Sequence, residues 1–199
     1  MDFMKDVPDK FFDLAIVDPP YGLNDLLKNK FARHRNKKTT YTNKDTPNAK
    51  YFNEVERISK RSIIWGCQYY LNFMNPKGSF IVWDKLKDPE TCNLSSCDIA
   101  WYSERTQVRS FRGIWNGACK INNEKTIHPH QKPVALYKWL LKKYAKEGDK
   151  ILDTHLGSGS IAIACHDYKF DLIGMEIDKD YYDAAVKRYQ NHIAQTSLF

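Results

Sequence analysis

The C-terminal quarter of the chain alternates short strand-like runs with helical patterns, and this alternation limits the possible folds most strongly. Strands are predicted at Lys150–Asp153 and at residues 171–176. Helices are predicted at Ser160–Tyr168 and from a cap at Asp178 to about residue 194. Because strands that alternate with helices join in parallel and bury both faces of a sheet, the sequence predicts an α/β fold.

The remaining apolar patterns extend this arrangement over the whole chain. Further strands are predicted at residues 13–18, 62–65, 78–84 and 98–102. Further helices are predicted at residues 68–74, at residues 133–146, and from a cap at Thr46 to about residue 60. No repeat, low-complexity tract or linker divides the sequence, so residues 1–199 are predicted to form a single domain.

Positive charge is concentrated in one segment. The formal net charge is +7, and residues 22–50 contain eight Lys or Arg against two Asp. Such a run is either a solvated surface or a contact region for a polyanion. Its position directly after the tetrapeptide described below favours the polyanion.

Composition excludes several other classes of protein. No apolar run approaches the roughly 20 residues that a membrane-spanning helix needs, and the N-terminus lacks the apolar core of a signal peptide. The five Cys contain no CxxC pair, which favours a reduced interior over a disulfide framework or a metal site. We therefore expect a cytoplasmic protein that contacts no membrane and binds no metal.

A glycine-bearing turn joins the strand Lys150–Asp153 to the helix that follows it. Gly157 and Gly159 permit a tight turn with positive φ angles, and Glu176 ends the next strand 17 residues after Gly159. An acid at about this spacing meets ribose hydroxyls in nucleotide-binding folds, so the pattern indicates a nucleoside-bearing cofactor, NAD or S-adenosylmethionine (SAM). The GxGxxG fingerprint and a P-loop lysine are both absent from this turn, which favours SAM, a nucleoside without phosphate.

The most specific signal is the tetrapeptide Asp18-Pro19-Pro20-Tyr21 after a buried strand. The exocyclic amine of adenine or cytosine is a poor nucleophile, because its lone pair is delocalised into the ring. The Asp18 carboxylate and the Pro19 carbonyl can accept the two amine hydrogens and so localise that pair. Consecutive prolines keep the backbone rigid, and Tyr21 offers a face on which an extruded base can stack. The competing interpretation is a strand that simply ends in a turn.

These two motifs, together with His128-Pro129-His130-Gln131-Lys132-Pro133, make the chain resemble the amino-methylating DNA methyltransferases. The order of the motifs, catalytic first and cofactor turn last, is similar to the beta-class, circularly permuted members. Small phage and prophage orphan adenine enzymes look most alike, and the sequence does not decide whether a restriction–modification partner exists. The fold implied is a Rossmann-like sheet of about seven mostly parallel strands with helices on both faces.

The resemblance also implies which residues bind the cofactor. Asp18 to Tyr21 would be catalytic, and a further set would hold SAM: Asp153, His155, Gly157, Ser158, Gly159, Glu176, Asp178, Gln131 and Lys132. Within that set, Gln131 and Lys132 would contact the methionine end. At position 155 the family usually has Phe, which packs on the SAM adenine; the imidazole of His155 can also stack, with weaker or pH-sensitive binding expected.

Double-stranded DNA is the partner that the resemblance implies, for a monomer or a homodimer. The basic loop 22–50 and residues 103–127, a possible minimal target-recognition insert, would supply its contacts. The predicted DNA-binding residues are Lys28, Lys30, Arg33, Arg35, Lys37, Lys38, Arg105, Arg109 and Arg112.

Several functions stay open at this point. Methylation of adenine N6 in DNA is expected, since cytosine-N4 enzymes look similar but more often carry Ser in place of Asp18. RNA is a further possible substrate. From other classes come a catalytically impaired SAM-binding nucleic-acid-binding protein and an NAD oxidoreductase.

Overall fold

Seven strands form one sheet in the computed structural model, which describes residues 2–22, 46–85, 95–116 and 119–196. In chain order they are β1 (Phe12–Val17), β2 (Ser59–Trp65), β3 (Ser79–Asp84), β4 (Cys97–Tyr102), β5 (Arg109–Arg112), β8 (Lys150–Asp153) and β9 (Asp171–Gly174). A separate two-stranded hairpin is made by β6 (Trp115–Asn116) and β7 (Cys119–Lys120).

The sheet is mostly parallel, with the spatial order β5-β3-β4-β2-β1-β8-β9. Strand β1 runs parallel to both β2 and β8, and β8 runs parallel to β9. The exception is β4, which is antiparallel to both β2 and β3. The predicted α/β fold with about seven mostly parallel strands is confirmed.

Helices cover both faces of this sheet. In chain order they are α1 (Asp2–Lys5), α2 (Ala49–Ile58), α3 (Val134–Tyr144), α4 (Ser160–Tyr168) and α5 (Lys179–Thr196). One core contains Met4 of α1 and apolar residues of α2, packed on side chains such as Val17 and Ile64. The other contains apolar residues of α3 and α4, packed on the opposite faces of the same strands.

Two local predictions between residues 46 and 74 were wrong. Helix α2 is capped by Asn48, whose Oδ1 accepts from the backbone N–H of Lys50 at 3.1 Å, and not by Thr46. The predicted helix 68–74 is instead a pair of 3₁₀ turns, Cys67–Tyr69 and Leu71–Phe73. These turns begin at Gly66, whose left-handed φ of 68° departs from helical geometry.

The parallel strands place the ends of several predicted motifs at one edge of the sheet. Strand β1 ends directly before Asp18, β8 ends at Asp153, and β9 ends two residues before Glu176. Because the carboxyl ends of parallel strands share an edge, these residues converge, although Asp18 lies more than a hundred positions from the other two in sequence. This edge is where ligands bind in open α/β sheets.

Candidate active site

A cavity of about 700 Å³ opens at the carboxyl ends of the strands. At one end it is lined by Gly157, Glu176 and neighbouring residues of the glycine-bearing turn. It passes Asp18 and reaches Trp115 at the other end. The cavity is therefore large enough for a nucleoside-sized ligand with further space beyond it.

The glycine-bearing turn is fixed by the carboxylate of Glu176. The backbone N–H of Gly157, at φ 52°, donates to Glu176 Oε2 at 2.8 Å, and the N–H of Asp178 donates to Oε1 at 3.0 Å. Each carboxylate oxygen keeps a second lone pair. Glu176 is thus held in one orientation on the cavity wall and can still accept from ligand hydroxyls.

Gly159 lies outside the cavity lining. A Cβ atom on Gly159 would approach Cβ of Ala185 in α5 to 3.1 Å, and its φ is 69°. Asp178 also lies outside that lining: its Oδ1 accepts from the N–H groups of Asp180 and Tyr181, at 2.9 and 3.2 Å, and caps α5. The structure therefore gives Gly159 and Asp178 roles in shaping the turn and its flanking helix.

Asp153 supports the turn from beneath the cavity. Its side chain is 1% exposed, and its Oδ1 accepts from the N–H of His155 at 2.9 Å. Burial raises the pKa of Asp153 to about 7, and the nearby charges of Asp18 and Glu176 push it in the same direction. Ser158, by contrast, lines the cavity, and its Oγ lies 3.0 Å from the Oγ of Ser160.

His155 lines the cavity as a neutral ring. Its Nδ1 lies 2.9 Å from Thr154 Oγ1, and the ring stands edge-on to Tyr51 with centroids 5.5 Å apart. Burial lowers the pKa of His155 to about 4. The imidazole is consequently uncharged near neutral pH, and any pH effect of this residue on a ligand falls in the acid range.

Asp18 lies on the cavity wall with both carboxylate oxygens engaged. Tyr21 Oη donates to Oδ1 at 2.5 Å, and Lys132 Nζ pairs with Oδ2 at 2.5 Å. The side chains of Lys132 and Asp18 are only 5% and 15% exposed. Burial alone would raise the pKa of Asp18, but the charge and hydrogen bond of Lys132, with the Tyr21 hydroxyl, outweigh it and hold that pKa below its ordinary value.

Tyr21 is packed into a cluster of aromatic residues. Its ring stacks on that of Tyr69, with centroids 5.2 Å apart and an interplanar angle of 24°. It also lies against Gly66, where a Cβ atom would come within 2.1 Å of Tyr21 Cε1. Burial raises the pKa of Tyr21 well above its ordinary value, so the phenol keeps the proton that it donates to Asp18.

Tyr70 is a residue of this site that the sequence did not reveal. It is fully buried, and its hydroxyl donates to the carbonyl of Pro19 at 3.2 Å and also to the carbonyl of Pro20. The Pro19 carbonyl is the predicted acceptor for the second amine hydrogen. A tyrosine hydroxyl therefore occupies each predicted acceptor, Tyr21 on Asp18 and Tyr70 on Pro19.

The segment 128–133 connects the two halves of the site. Gln131 lines the cavity, but its amide accepts from the N–H of Ile127 at 3.0 Å and donates to the carbonyl of Lys125 at 3.2 Å, so it braces its own loop. His128 packs beside Gly157, and burial lowers its pKa to about 4. Lys132 reaches Asp18, a contact that the sequence did not indicate.

Two further residues adjoin the cofactor turn without a signal in the sequence. Ile177 lines the cavity and is 97% exposed, which is unusual for a large apolar side chain. Arg188 of α5 donates to the carbonyl of Ser158 at 2.9 Å and forms an ion pair of 2.8 Å with Glu124. Arg188 thereby ties the turn to the segment that precedes α3.

The predicted DNA-contacting residues divide into two groups. Lys28, Lys30, Arg33, Arg35, Lys37 and Lys38 lie outside the described residues. Arg105, Arg109 and Arg112 are exposed near β5 and do not line the cavity. Arg112 lies 3.3 Å from Asp84, and Arg109 donates to Gln107 at 3.0 Å.

Among residues 2–22, 46–85, 95–116 and 119–196, no helix has the length and apolar character needed to cross a bilayer. Within the same ranges, no three His, Cys, Asp or Glu side chains cluster in a way that would hold a metal ion.

Solved structures of DNA methyltransferases share the Rossmann-like fold of this chain. M1.HpyAVI in complex with SAM matches with a TM-score of 0.58 and 20% identity, over 94% of this chain and 92% of that chain. TTHA0409 from Thermus thermophilus, a putative DNA modification methylase complexed with SAM, matches with a TM-score of 0.59, 15% identity and coverages of 96% and 90%. PvuII DNA methyltransferase, which is cytosine-N4-specific, matches with a TM-score of 0.62, 12% identity and coverages of 94% and 82%.

The chain belongs to the N6/N4 DNA methylase family, whose sequence profile matches residues 31–187. Type II methyltransferase M.HpaI of Haemophilus parainfluenzae is 25% identical over an alignment of 221 positions, which covers 93% of this chain and 70% of that protein. M2.DpnII of Streptococcus pneumoniae is 27% identical over an alignment of 126 positions, which covers 62% of this chain and 45% of that protein. The prediction of a SAM-dependent DNA methyltransferase is confirmed at the level of the family, which includes both N6 and N4 enzymes. The profile match begins after Tyr21, so it does not bear on the role of the tetrapeptide.

Proposed function

We propose that this protein transfers a methyl group from SAM to the exocyclic N6 amine of adenine in double-stranded DNA. The observation that carries the proposal is the position of Asp18. Its carboxylate, held ionised by Lys132, lies on the wall of the same cavity that the turn at Gly157 and Glu176 lines. An amine acceptor and a nucleoside-binding turn therefore share one space.

The turn suits SAM better than a phosphate-bearing cofactor. Glu176 presents carboxylate oxygens to ribose hydroxyls, and no Lys or Arg occurs between residues 153 and 160 to grip a phosphate. The exposed side chain of Ile177 offers an apolar surface for the adenine ring, and the neutral ring of His155 lies in the same wall. When bound, SAM would supply an electrophilic methyl group.

The residues around Asp18 then orient the amine. In the proposed reaction, the two amine hydrogens replace the hydroxyls of Tyr21 and Tyr70 on the Asp18 carboxylate and the Pro19 carbonyl. Lys132 keeps its contact with the other carboxylate oxygen and holds Asp18 ionised. Because the pKa of Asp18 is low, the carboxylate directs the lone pair and does not remove a proton before transfer. As the C–N bond forms, the C–S bond breaks and leaves a neutral thioether, and the cationic methylated amine then releases one proton. Positioning therefore supplies much of the acceleration.

Adenine is favoured over cytosine by the residue at position 18. The resemblance to amino-methylating DNA methyltransferases implies that enzymes acting on cytosine N4 more often carry Ser where this chain has Asp18. A cytosine-N4 activity is the second candidate, because the fold of PvuII DNA methyltransferase is similar. The beta-class, permuted order is supported by the order of two paired strands: β1, which ends before Asp18, precedes β8, which leads into the glycine-bearing turn.

Double-stranded DNA is proposed as the polymer because positively charged segments follow the tetrapeptide 18–21 in the sequence. Residues 22–50 carry most of the net charge, and Arg105, Arg109 and Arg112 are exposed beyond the cavity. Such residues contact phosphates without reading sequence.

The test is incubation with DNA and methyl-labelled SAM, followed by digestion to nucleosides. N6-methyldeoxyadenosine is expected, N4-methyldeoxycytidine would establish the second candidate, and SAM binding without any product would identify an impaired enzyme. The variant Asp18→Ala should abolish methyl transfer and leave SAM affinity, measured by calorimetry, within about threefold. Lys60→Met, which removes an exposed ion pair at the opposite edge of the sheet, serves as the control. Methyl transfer by Asp18→Ala would refute the assigned role.

A further inference from the structure

We propose that Lys85, Asp98 and Trp115 form a subsite for the extruded target base, in which Lys85 donates to the ring nitrogen beside the amino group. The inference rests on the proposed function, because it concerns the same cavity and the same substrate.

The far end of the cavity is separate from the proposed SAM site. Its lining comes from β3, β4, β6 and their flanking residues, and it includes Trp83, Lys85, Asp98 and Trp115. The cofactor turn and the segment 128–133 line the other end. An amine held at Asp18 would lie between a cofactor at one end and the remainder of its base at the other.

A chain of contacts connects the far end to Asp18. Lys132, which pairs with Asp18, has its Nζ 5.3 Å from the ring centroid of Trp65. Trp65 in turn packs edge-on against Trp83, with centroids 6.4 Å apart. The charge of Asp98 is also near enough to raise the pKa of Tyr21. Lys85 Nζ lies 5.8 Å from the ring centroid of Trp83, so this series of contacts links the subsite to the tetrapeptide.

Lys85 and Asp98 form an ion pair at the ends of neighbouring strands. Lys85 Nζ lies 2.5 Å from Asp98 Oδ1, and the two side chains are 19% and 22% exposed. The backbone of Lys85 is also fixed: its N–H donates to the carbonyl of Ser96 at 3.1 Å, and its carbonyl accepts from Trp115 at 2.8 Å. The pair thus holds one ammonium in a set position on the cavity wall.

The chemistry of this pair suits the edge of an amino-bearing base. An ammonium has three donors, and the bond to Asp98 uses one. Adenine N1 and cytosine N3 are acceptors beside the amino group, whereas guanine and thymine carry an N–H at the equivalent ring position. An extruded base loses its pairing partner, so a donor in the pocket restores the lost hydrogen bond. Lys85 would therefore accept adenine or cytosine and reject guanine and thymine.

Trp115 supplies the aromatic surface that Tyr21 does not fully offer. One face of Tyr21 is already stacked on Tyr69, so part of its surface is unavailable to a base. Trp115 lines the cavity, and the ammonium of Lys120 lies 5.6 Å from its ring. Stacking on tryptophan suits any base, because every base has a π face.

The decisive experiment replaces the target adenine in duplex DNA by 1-deazaadenine, which has C–H in place of N1. The wild-type methylation rate should fall at least tenfold on this substrate. Lys85→Met should lose at least tenfold on adenine and show no further loss on 1-deazaadenine. Lys138→Met, which removes an ion pair with Asp167 outside the cavity, should behave like the wild type. 1-Deazaadenine pairs less strongly with thymine than adenine does, so it is extruded from the duplex more easily. A lower methylation rate on this substrate therefore cannot be explained by harder extrusion.

Binding measurements separate this inference from the proposed function. Calorimetry with 2′-deoxyadenosine and 1-deaza-2′-deoxyadenosine makes the same comparison without turnover, so it decides the role of Lys85 even if no methyl transfer occurs. Trp115→Ala should weaken nucleoside binding about tenfold and Trp115→Phe should restore most of it. The proposal would be overturned if the wild type bound the two nucleosides equally. It would also be overturned if Lys85→Met lost as much again on the 1-deaza compound as the wild type does.

Discussion

Removal of the Lys132 ammonium should shift the acid limb of the methylation pH profile. In the wild type, Lys132 lies 2.5 Å from Asp18 in a pair that is mostly buried, so solvent screens the interaction little. An opposite charge this close lowers a carboxyl pKa by about 1 to 3 units, which corresponds to about 1.4 to 4 kcal/mol. In Lys132→Met, burial would raise the pKa of Asp18, opposed only by the Tyr21 hydroxyl and the weaker influence of His130.

A protonated Asp18 has lost the negative charge that attracts the amine hydrogen and is a weaker acceptor for it, so activity should fall as pH decreases through the raised pKa. The acid limb of kcat/KM should therefore move upward by about 1 to 3 units, measured from pH 4.5 to 8 with SAM affinity determined at each pH. Lys132→Arg should keep most of the wild-type pH profile. Lys60→Met, which is remote from the site, should leave that profile unchanged. An unchanged acid limb in Lys132→Met, with normal folding and SAM binding, would refute this account of Lys132.

Two other positions give predictions for cofactor binding and stability. Arg188→Met removes the donor to Ser158 and the ion-pair partner of Glu124, so the SAM Kd should rise about tenfold by calorimetry. An unchanged Kd would exclude this support of the turn. The pKa of Asp153 is raised to about 7, so its protonated form stabilises the fold. This stabilisation is complete below pH 3.8, the ordinary pKa of the group, and is lost as pH rises through about 7. Asp153→Asn keeps an acceptor for the N–H of His155 and never ionises. Measured by urea unfolding, the free energy of unfolding of this variant relative to that of the wild type should rise by up to about 3 kcal/mol from pH 5 to pH 8. An equal difference between variant and wild type at both pH values would contradict the raised pKa.

The sheet was predictable because its strands are short apolar runs between clear breaks. Residues 13–18 and 150–153 were predicted within one residue of β1 and β8. The segment around Gly66 was not, because its conformation is set by contact with Tyr21, which is remote in sequence. Strand β5 was also missed, since Arg109–Arg112 has no apolar alternation and gains its place only by pairing with β3.

The site was predictable where a motif is contiguous and obscure where its residues meet through the fold. Asp18 and Glu176 were found from local pattern, and both lie on the cavity wall. Tyr70 acts through a backbone carbonyl 51 positions away, and Lys132 contacts a carboxylate 114 positions away. No spacing rule connects such pairs, because each depends on which strands become neighbours.

The tyrosine hydroxyls on Asp18 and Pro19 also bear on how the reaction would end. The unmethylated amine has two hydrogens and can satisfy both acceptors, whereas the methylated amine has only one. A single hydrogen leaves one acceptor to Tyr21 or Tyr70, whose hydroxyl lies beside it already. The returning hydroxyl would favour departure of the product and disfavour a second methylation of the same nitrogen.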